Sequence, residues 1–174
     1  MEHRLHIAVT GARGSGKTYV IQKLMERLDC PIYGFMTKSL APDENGFHPI
    51  YIHPASAKKR VYTPENLIGT CDTRIHNINL EAFDKLGAPY IRSAKADGVI
   101  IMDELGFMES DSIPFTTAVF DALDGDIPVI ASIKMMDGVG FLEKVKSHPN
   151  LKIYNVTRET SDKVLDDIAG YLGI

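Results

Sequence analysis

The chemically richest segment of this sequence is Gly11-Ala12-Arg13-Gly14-Ser15-Gly16-Lys17-Thr18, which fits G-x-x-x-x-G-K-[ST] at every fixed position. Its three glycines free the backbone to curl, so that successive N–H groups point inward at one anion. The loop then opens a helix, whose first N–H groups and dipole favour a phosphate. Lys17 follows as an ammonium for the outer phosphates of a nucleotide, and Thr18 as a hydroxyl for Mg²⁺. The expected nucleotide contacts are Gly11, Ala12, Arg13, Gly14, Ser15, Gly16, Lys17, Thr18 and the adjoining Tyr19. Lys17 is also a candidate catalytic group and Thr18 a candidate metal ligand. Arg13, inside the loop, reads as a solvated or phosphate-side contact.

A second constellation lies at Val99-Ile100-Ile101-Met102-Asp103-Glu104, an apolar strand ending in two acids. Carboxylates beside a buried strand are costly without a partner, and a metal-bound phosphate is such a partner. Asp103 is therefore expected to hold Mg²⁺, through a water, as the second acidic element of the P-loop nucleoside triphosphatases does. Glu104 is then placed to orient or deprotonate an attacking water. A kinase needs no water activator, so the second acid tilts the reading toward hydrolysis.

Elements at both ends of the chain must bring these groups together. Short β-branched runs alternate with amphipathic helical stretches, the pattern of a parallel α/β sheet. Strands are expected at Leu5 to Thr10, Ile32 to Thr37, Gly98 to Asp103, Pro128 to Ser132 and Leu151 to Val156. Helices are expected at Lys17 to Leu28, from an Asn79 cap to about Ala94, at Ser112 to Leu123, Gly140 to Ser147 and Glu159 to Leu172, the last capped by Thr157. Residues 38–63 differ. Pro42-Asp43-Glu44-Asn45-Gly46 is a turn, and Phe47 to His53 and Arg60 to Tyr62 are extended around it. This reads as one or two antiparallel hairpins inserted into a single domain spanning 1–174.

The bulk numbers agree with that organisation. The chain has 174 residues, 44% of them apolar, enough for one core. Nineteen Lys plus Arg against 23 Asp plus Glu give a net charge of −4, which argues against broad nucleic-acid binding. The basic run Lys58-Lys59-Arg60 reads as a solvated turn. Cys30 and Cys71 make no disulfide framework and no metal spacing. His48 and His53, five apart in a strand, point to opposite faces. The N-terminus shows no apolar leader and no run is long enough for a membrane span, so a cytoplasmic protein is expected.

Asp103-Glu104-Leu105-Gly106-Phe107-Met108-Glu109 resembles the D-E-[IL]-G-x-M-E signature of a family of small P-loop nucleoside triphosphatases, sometimes named nucleotide kinases. Gly34-Phe35-Met36-Thr37 is similar to that family's G-F-x-T strand, Phe115 and Val119 fit the helix after the signature, and Val156-Thr157 fits its V-T. The resemblance implies a three-layer, RecA-like P-loop fold with a mostly parallel sheet. It also implies slow, Mg²⁺-dependent hydrolysis of ATP, GTP and other triphosphates. It carries roles to Lys17, Thr18, Asp103 and Glu104, and leaves Glu109 either supporting Glu104 or capping the next helix.

The chain departs from the family at Thr160-Ser161-Asp162, where an Asn-Arg-Asp run is usual. No N-K-x-D marks guanine specificity, since Ser132 to Asp137 has the wrong spacing. Two other readings stay open: a nucleoside or nucleotide kinase, although Met135 to Ser147 lacks the arginines of a kinase lid, and a nucleotide-gated accessory protein acting on a partner in cofactor assembly. Arg60, Arg74, Arg92 and Arg158 are all candidate arginine fingers.

Overall fold

The computed structural model describes residues 6–174. Leu5, at the start of the first expected strand, and residues 1–5 of the segment read for a leader lie outside the described residues. Among the described residues, eight strands form one sheet in the order β5-β4-β3-β2-β6-β7-β1-β8. The strands are β1 (His6–Gly11), β2 (Ile32–Ser39), β3 (His48–Pro54), β4 (Leu67–Cys71), β5 (Ile75–His76), β6 (Val99–Leu105), β7 (Val129–Lys134) and β8 (Leu151–Asn155). The run β2-β6-β7-β1-β8 is parallel, and β3, β4 and β5 extend it antiparallel.

Helices cover both faces, as buried parallel strands require. On one face α1 (Lys17–Arg27) and α6 (Ser161–Leu172) close over Ile7, Val9, Val99, Ile101 and Ile130. On the other, α3 (Ala88–Arg92), α4 (Ile113–Asp124) and α5 (Gly140–Lys146) close over Ala8, Phe35, Ile100, Met102 and Ala131. The apolar spacing of α1 does what its period predicts, since Val20, Ile21 and Leu24 are buried. Asn79 caps the short α2 (Leu80–Ala82), which runs through a π-helical turn (Phe83–Gly87) into α3. Ser112 caps α4, with Pro114 in its first turn, where no N–H is required.

The inserted antiparallel region runs further than 63. Residues 60–62 form no strand, and the second partner of β3 is β4. Asn66 explains the displacement. Its side-chain amide donates to the carbonyls of Ile52 and Val61, so side-chain bonds replace a ladder there. Pairing resumes only after the 3₁₀ turn Pro64–Asn66. The strand expected to stop at Asp103 continues through Glu104 to Leu105, with a register shift against β7 between Met102 and Leu105. The last helix begins at Ser161 after Thr160, and Thr157 instead closes a turn by accepting from the Thr160 N–H.

Gly34 lets β2 press against β6. It sits at φ +89°, and a Cβ there would lie 1.9 Å from the Ile101 carbonyl oxygen. This is the physical content of the glycine in the G-F-x-T strand.

Candidate active site

The phosphate loop leaves the carboxyl end of β1, and its glycines adopt the conformations that their freedom permits. Gly14 and Gly16 have φ of +74° and +102°. Gly11 is held for a different reason, because a Cβ would meet the Val156 carbonyl oxygen at 2.3 Å. Lys17, the first residue of α1, folds back and donates to the carbonyls of Gly11 at 2.8 Å and Ala12 at 3.3 Å. Its ammonium also lies 3.4 Å from Glu104 Oε2.

The strand order explains how that contact is reached. β7 lies between β1 and β6, so loop and acids are separated by two strand spacings, roughly 10 Å. α1 and the long Lys17 side chain cross that gap. Asp103 is 2% exposed. It accepts from the Thr18 hydroxyl at 3.4 Å and, by a shorter bond, from Ser132 on β7, while Thr37 on β2 donates to its backbone carbonyl at 3.3 Å. Burial pushes the Asp103 carboxyl above its ordinary range, and the Ser132 hydroxyl acts against that rise. Glu104, with a half-buried side chain, faces the Lys17 ammonium.

Glu109 is buried in the turn after β6, and its carboxylate accepts from the Gly106 N–H. It does not cap the following helix, which Ser112 caps. Burial pushes the Glu109 carboxyl up to about 7, and the neighbouring Glu104 charge adds to the rise.

These groups line a cavity of about 530 Å³. Arg13, Gly14, Gly16, Lys17, Thr18, Tyr19, Asp103 and Glu104 all border it. Gly11, Ala12 and Ser15 are outside its lining, Gly11 and Ser15 because they are buried behind the loop, while Ala12 is exposed. Tyr19, 42% exposed, donates its hydroxyl to Asp162 at 2.9 Å. The antiparallel region supplies the far wall, through Ile50, Ile68 and Ile75, with His48 beside them. His53 lines a separate cavity, in keeping with the opposite faces expected for the two histidines.

The candidate arginines separate by position. Arg92 pairs with Asp121 on α4. Arg158 donates to the Gly14 carbonyl at 3.0 Å, on the rim of the loop. Arg60 and Arg74 are exposed and border no part of the cavity.

Sequence reasoning gave no site role to Thr37, Ser132 and Lys134, which lie in the carboxyl halves of β2 and β7. Ser132 carried a legible signal, as a lone hydroxyl within the apolar run Val129 to Ile133. Thr37 carried one as the last fixed position of the G-F-x-T strand, and Lys134 carried none.

The donor set fits a hard cation. The partners of the buried Asp103 carboxylate are hydroxyl groups, and no basic side chain among the described residues pairs with it. Among the described residues no cluster of three or more His, Cys, Asp or Glu is placed to hold a metal ion. One carboxylate and one hydroxyl suit Mg²⁺, which keeps several waters and takes its remaining oxygens from phosphates.

A family model described as NTPase matches residues 6–169. A mouse protein named cancer-related nucleoside-triphosphatase homolog is 31% identical over 178 residues, covering 94% of each chain. The nucleoside-triphosphatase THEP1 of Aquifex aeolicus is 30% identical, covering 97% of this chain and 99% of its own. The crystal structure of THEP1 from that organism superposes with a TM-score of 0.74 at 28% identity, covering 96% and 98% of the two chains. The solution structure of a human cancer-related nucleoside triphosphatase shares the fold, with a TM-score of 0.67 at 24% identity over 96% of each chain.

Proposed function

Because this chain belongs to the NTPase family and is a nucleoside-triphosphatase, we propose that it hydrolyses ATP, GTP and related triphosphates with Mg²⁺, using Lys17 and Glu104 as its catalytic groups. The observation that carries this reading is the 3.4 Å approach of Lys17 Nζ to Glu104 Oε2 in a cavity that the Thr18 and Asp103 pair also borders. The loop N–H groups and Lys17 receive the β- and γ-phosphates. Thr18 and, through a water, Asp103 would hold Mg²⁺, which supplies charge neutralisation at the phosphates when bound.

Glu104 orients a water in line with the γ-phosphorus and takes its proton. The water oxygen forms the new P–O bond while the bond to the bridging β–γ oxygen breaks. The electron pair leaves with the nucleoside diphosphate. Nucleoside triphosphate plus water thus gives nucleoside diphosphate plus phosphate. No helix among the described residues is long and apolar enough to cross a membrane.

One observation favours a second reading, phosphoryl transfer to an acceptor. The cavity continues past Glu104 along Ile50, Ile68, Ile75, Phe83 and Met108, a wall with no use in holding phosphates. One experiment tests both readings: phosphate release from ATP, GTP, CTP and UTP with Mg²⁺, for wild type and Glu104→Gln, with and without nucleosides and nucleoside monophosphates. Acceptor-independent release that collapses in the variant supports the hydrolase. Diphosphate formed only beside one acceptor supports transfer.

A further inference from the structure

We infer that Lys134 is the second catalytic cation of this site, supplying from within the same chain the positive charge that the γ-phosphoryl group needs as it transfers. The inference rests on the hydrolytic reading above and adds a residue to it.

Position is the first support. β7 is the strand between the phosphate loop and the acids, and Lys134 is its last residue. In the parallel register Lys134 pairs with Gly11, the first residue of the loop, while its neighbour Ile133 pairs with Leu105, just beyond Glu104. A cation there stands between the two groups that act on the γ-phosphate.

Its surroundings are the second. Lys134 lines the same cavity as Lys17, Glu104 and Glu109. Its stem packs over Gly106, where a Cβ would lie 3.7 Å from its Cδ. Its charge acts on Glu109, drawing that buried carboxyl down against burial. Yet no carboxylate among the described residues lies within ion-pair distance of its ammonium. Half-buried and committed to no ion pair, the ammonium is free to move onto an incoming oxyanion.

Elimination is the third. Arg60, Arg74 and Arg92 do not border the cavity, and Arg158 is engaged at its outer rim on Gly14. Beside Lys17, the cations of the lining are Arg13, exposed in the loop, and Lys134.

The test compares wild type with Lys134→Met and Lys134→Arg, reading kcat, KM and two binding constants. These are for an imido-bridged ATP analogue and for ADP with aluminium fluoride, the second mimicking the phosphoryl group in transit. In Lys134→Met, kcat is expected to fall about 100-fold or more, in line with removal of a cation from the transferring phosphoryl group. KM and analogue binding stay near wild type, the fluoroaluminate complex weakens in step with kcat, and Lys134→Arg recovers part of the rate. Wild-type activity per chain is expected to be independent of protein concentration. Full turnover in Lys134→Met overturns the inference. So does equal loss of both binding constants, or specific activity that climbs with concentration, which would place the cation on a second copy. If Lys134→Met does not fold, Lys134→Gln replaces it under the same criteria. Wild-type protein without triphosphatase activity, or an undiminished Glu104→Gln variant, would instead strike the hydrolytic reading itself.

Discussion

The Lys17 ammonium stands 3.4 Å from Glu104 Oε2 while it also donates to the loop carbonyls of Gly11 and Ala12. One side chain thus joins the phosphate loop to the acid proposed to orient the attacking water. Removing either end should have distinct effects. Lys17→Ala is expected to weaken nucleotide binding and abolish turnover. Glu104→Gln keeps the shape and loses the proposed base, so binding should persist while kcat falls about 100-fold or more. Equilibrium binding of a fluorescent nucleotide beside phosphate release separates the two. Equal loss of binding in both variants would remove the distinction.

Ser132 should matter through Asp103. Its hydroxyl donates to the carboxylate from the strand between loop and acids, and it opposes the rise that burial imposes. In Ser132→Ala the carboxyl should rise further and hold Mg²⁺ less well. The Mg²⁺ concentration for half-maximal activity is expected to increase about tenfold, as for other partners that orient metal ligands. The acid limb of the pH–rate profile should move to higher pH. An unchanged Mg²⁺ titration would remove Ser132 from the site.

Glu109 should leave a mark on the pH dependence of stability. Its carboxyl is held at about 7 in the folded chain, above the ordinary value of 4.5. A raised acid favours the fold most below its unfolded pKa, and that contribution disappears as pH rises through the folded pKa. Stability from this group should therefore be complete near pH 4 and lost by about pH 8, an effect of about 3 kcal/mol at most. Glu109→Gln preserves an oxygen for the Gly106 N–H and removes the titration. Denaturant unfolding at a series of pH values should show the wild-type slope between pH 4.5 and 7 and a flatter one in the variant. Parallel slopes would contradict the burial argument.

Gly34 offers a test of the fold apart from the chemistry. A methyl group there would overlap the Ile101 carbonyl oxygen and impose a side chain at φ +89°. Gly34→Ala should destabilise by about 3 kcal/mol or more, a fall of about 10 °C in Tm. Gly46, also at positive φ but with nothing near its would-be Cβ, is the control and should cost much less. Equal melting temperatures for the two variants would refute the close-approach argument.

The sequence by itself determined the parts whose physics is local. The phosphate loop was legible because its glycines, lysine and threonine are contiguous, and its conformation needs only backbone freedom and a helix start. The parallel core was legible because β-branched runs and helical periodicity are properties of single segments, as β6 and α1 show. The Asn79 cap was legible because a cap bonds within three residues of itself.

The tertiary structure alone decided what depends on strand order. No local pattern says that β7 separates β1 from β6, so none could bring Ser132 to Asp103 or Lys134 opposite Gly11. The inserted region was misjudged for the same reason. Residues 60–62 looked extended, but Asn66 satisfies the Ile52 and Val61 carbonyls and hands the pairing to 67–71. Glu109 was undecided until burial and the Gly106 N–H assigned its carboxylate to the turn after β6. Hydrogen bonds between residues far apart in the chain follow from which strands become neighbours. Nothing in the spacing of residues within one segment encodes that choice.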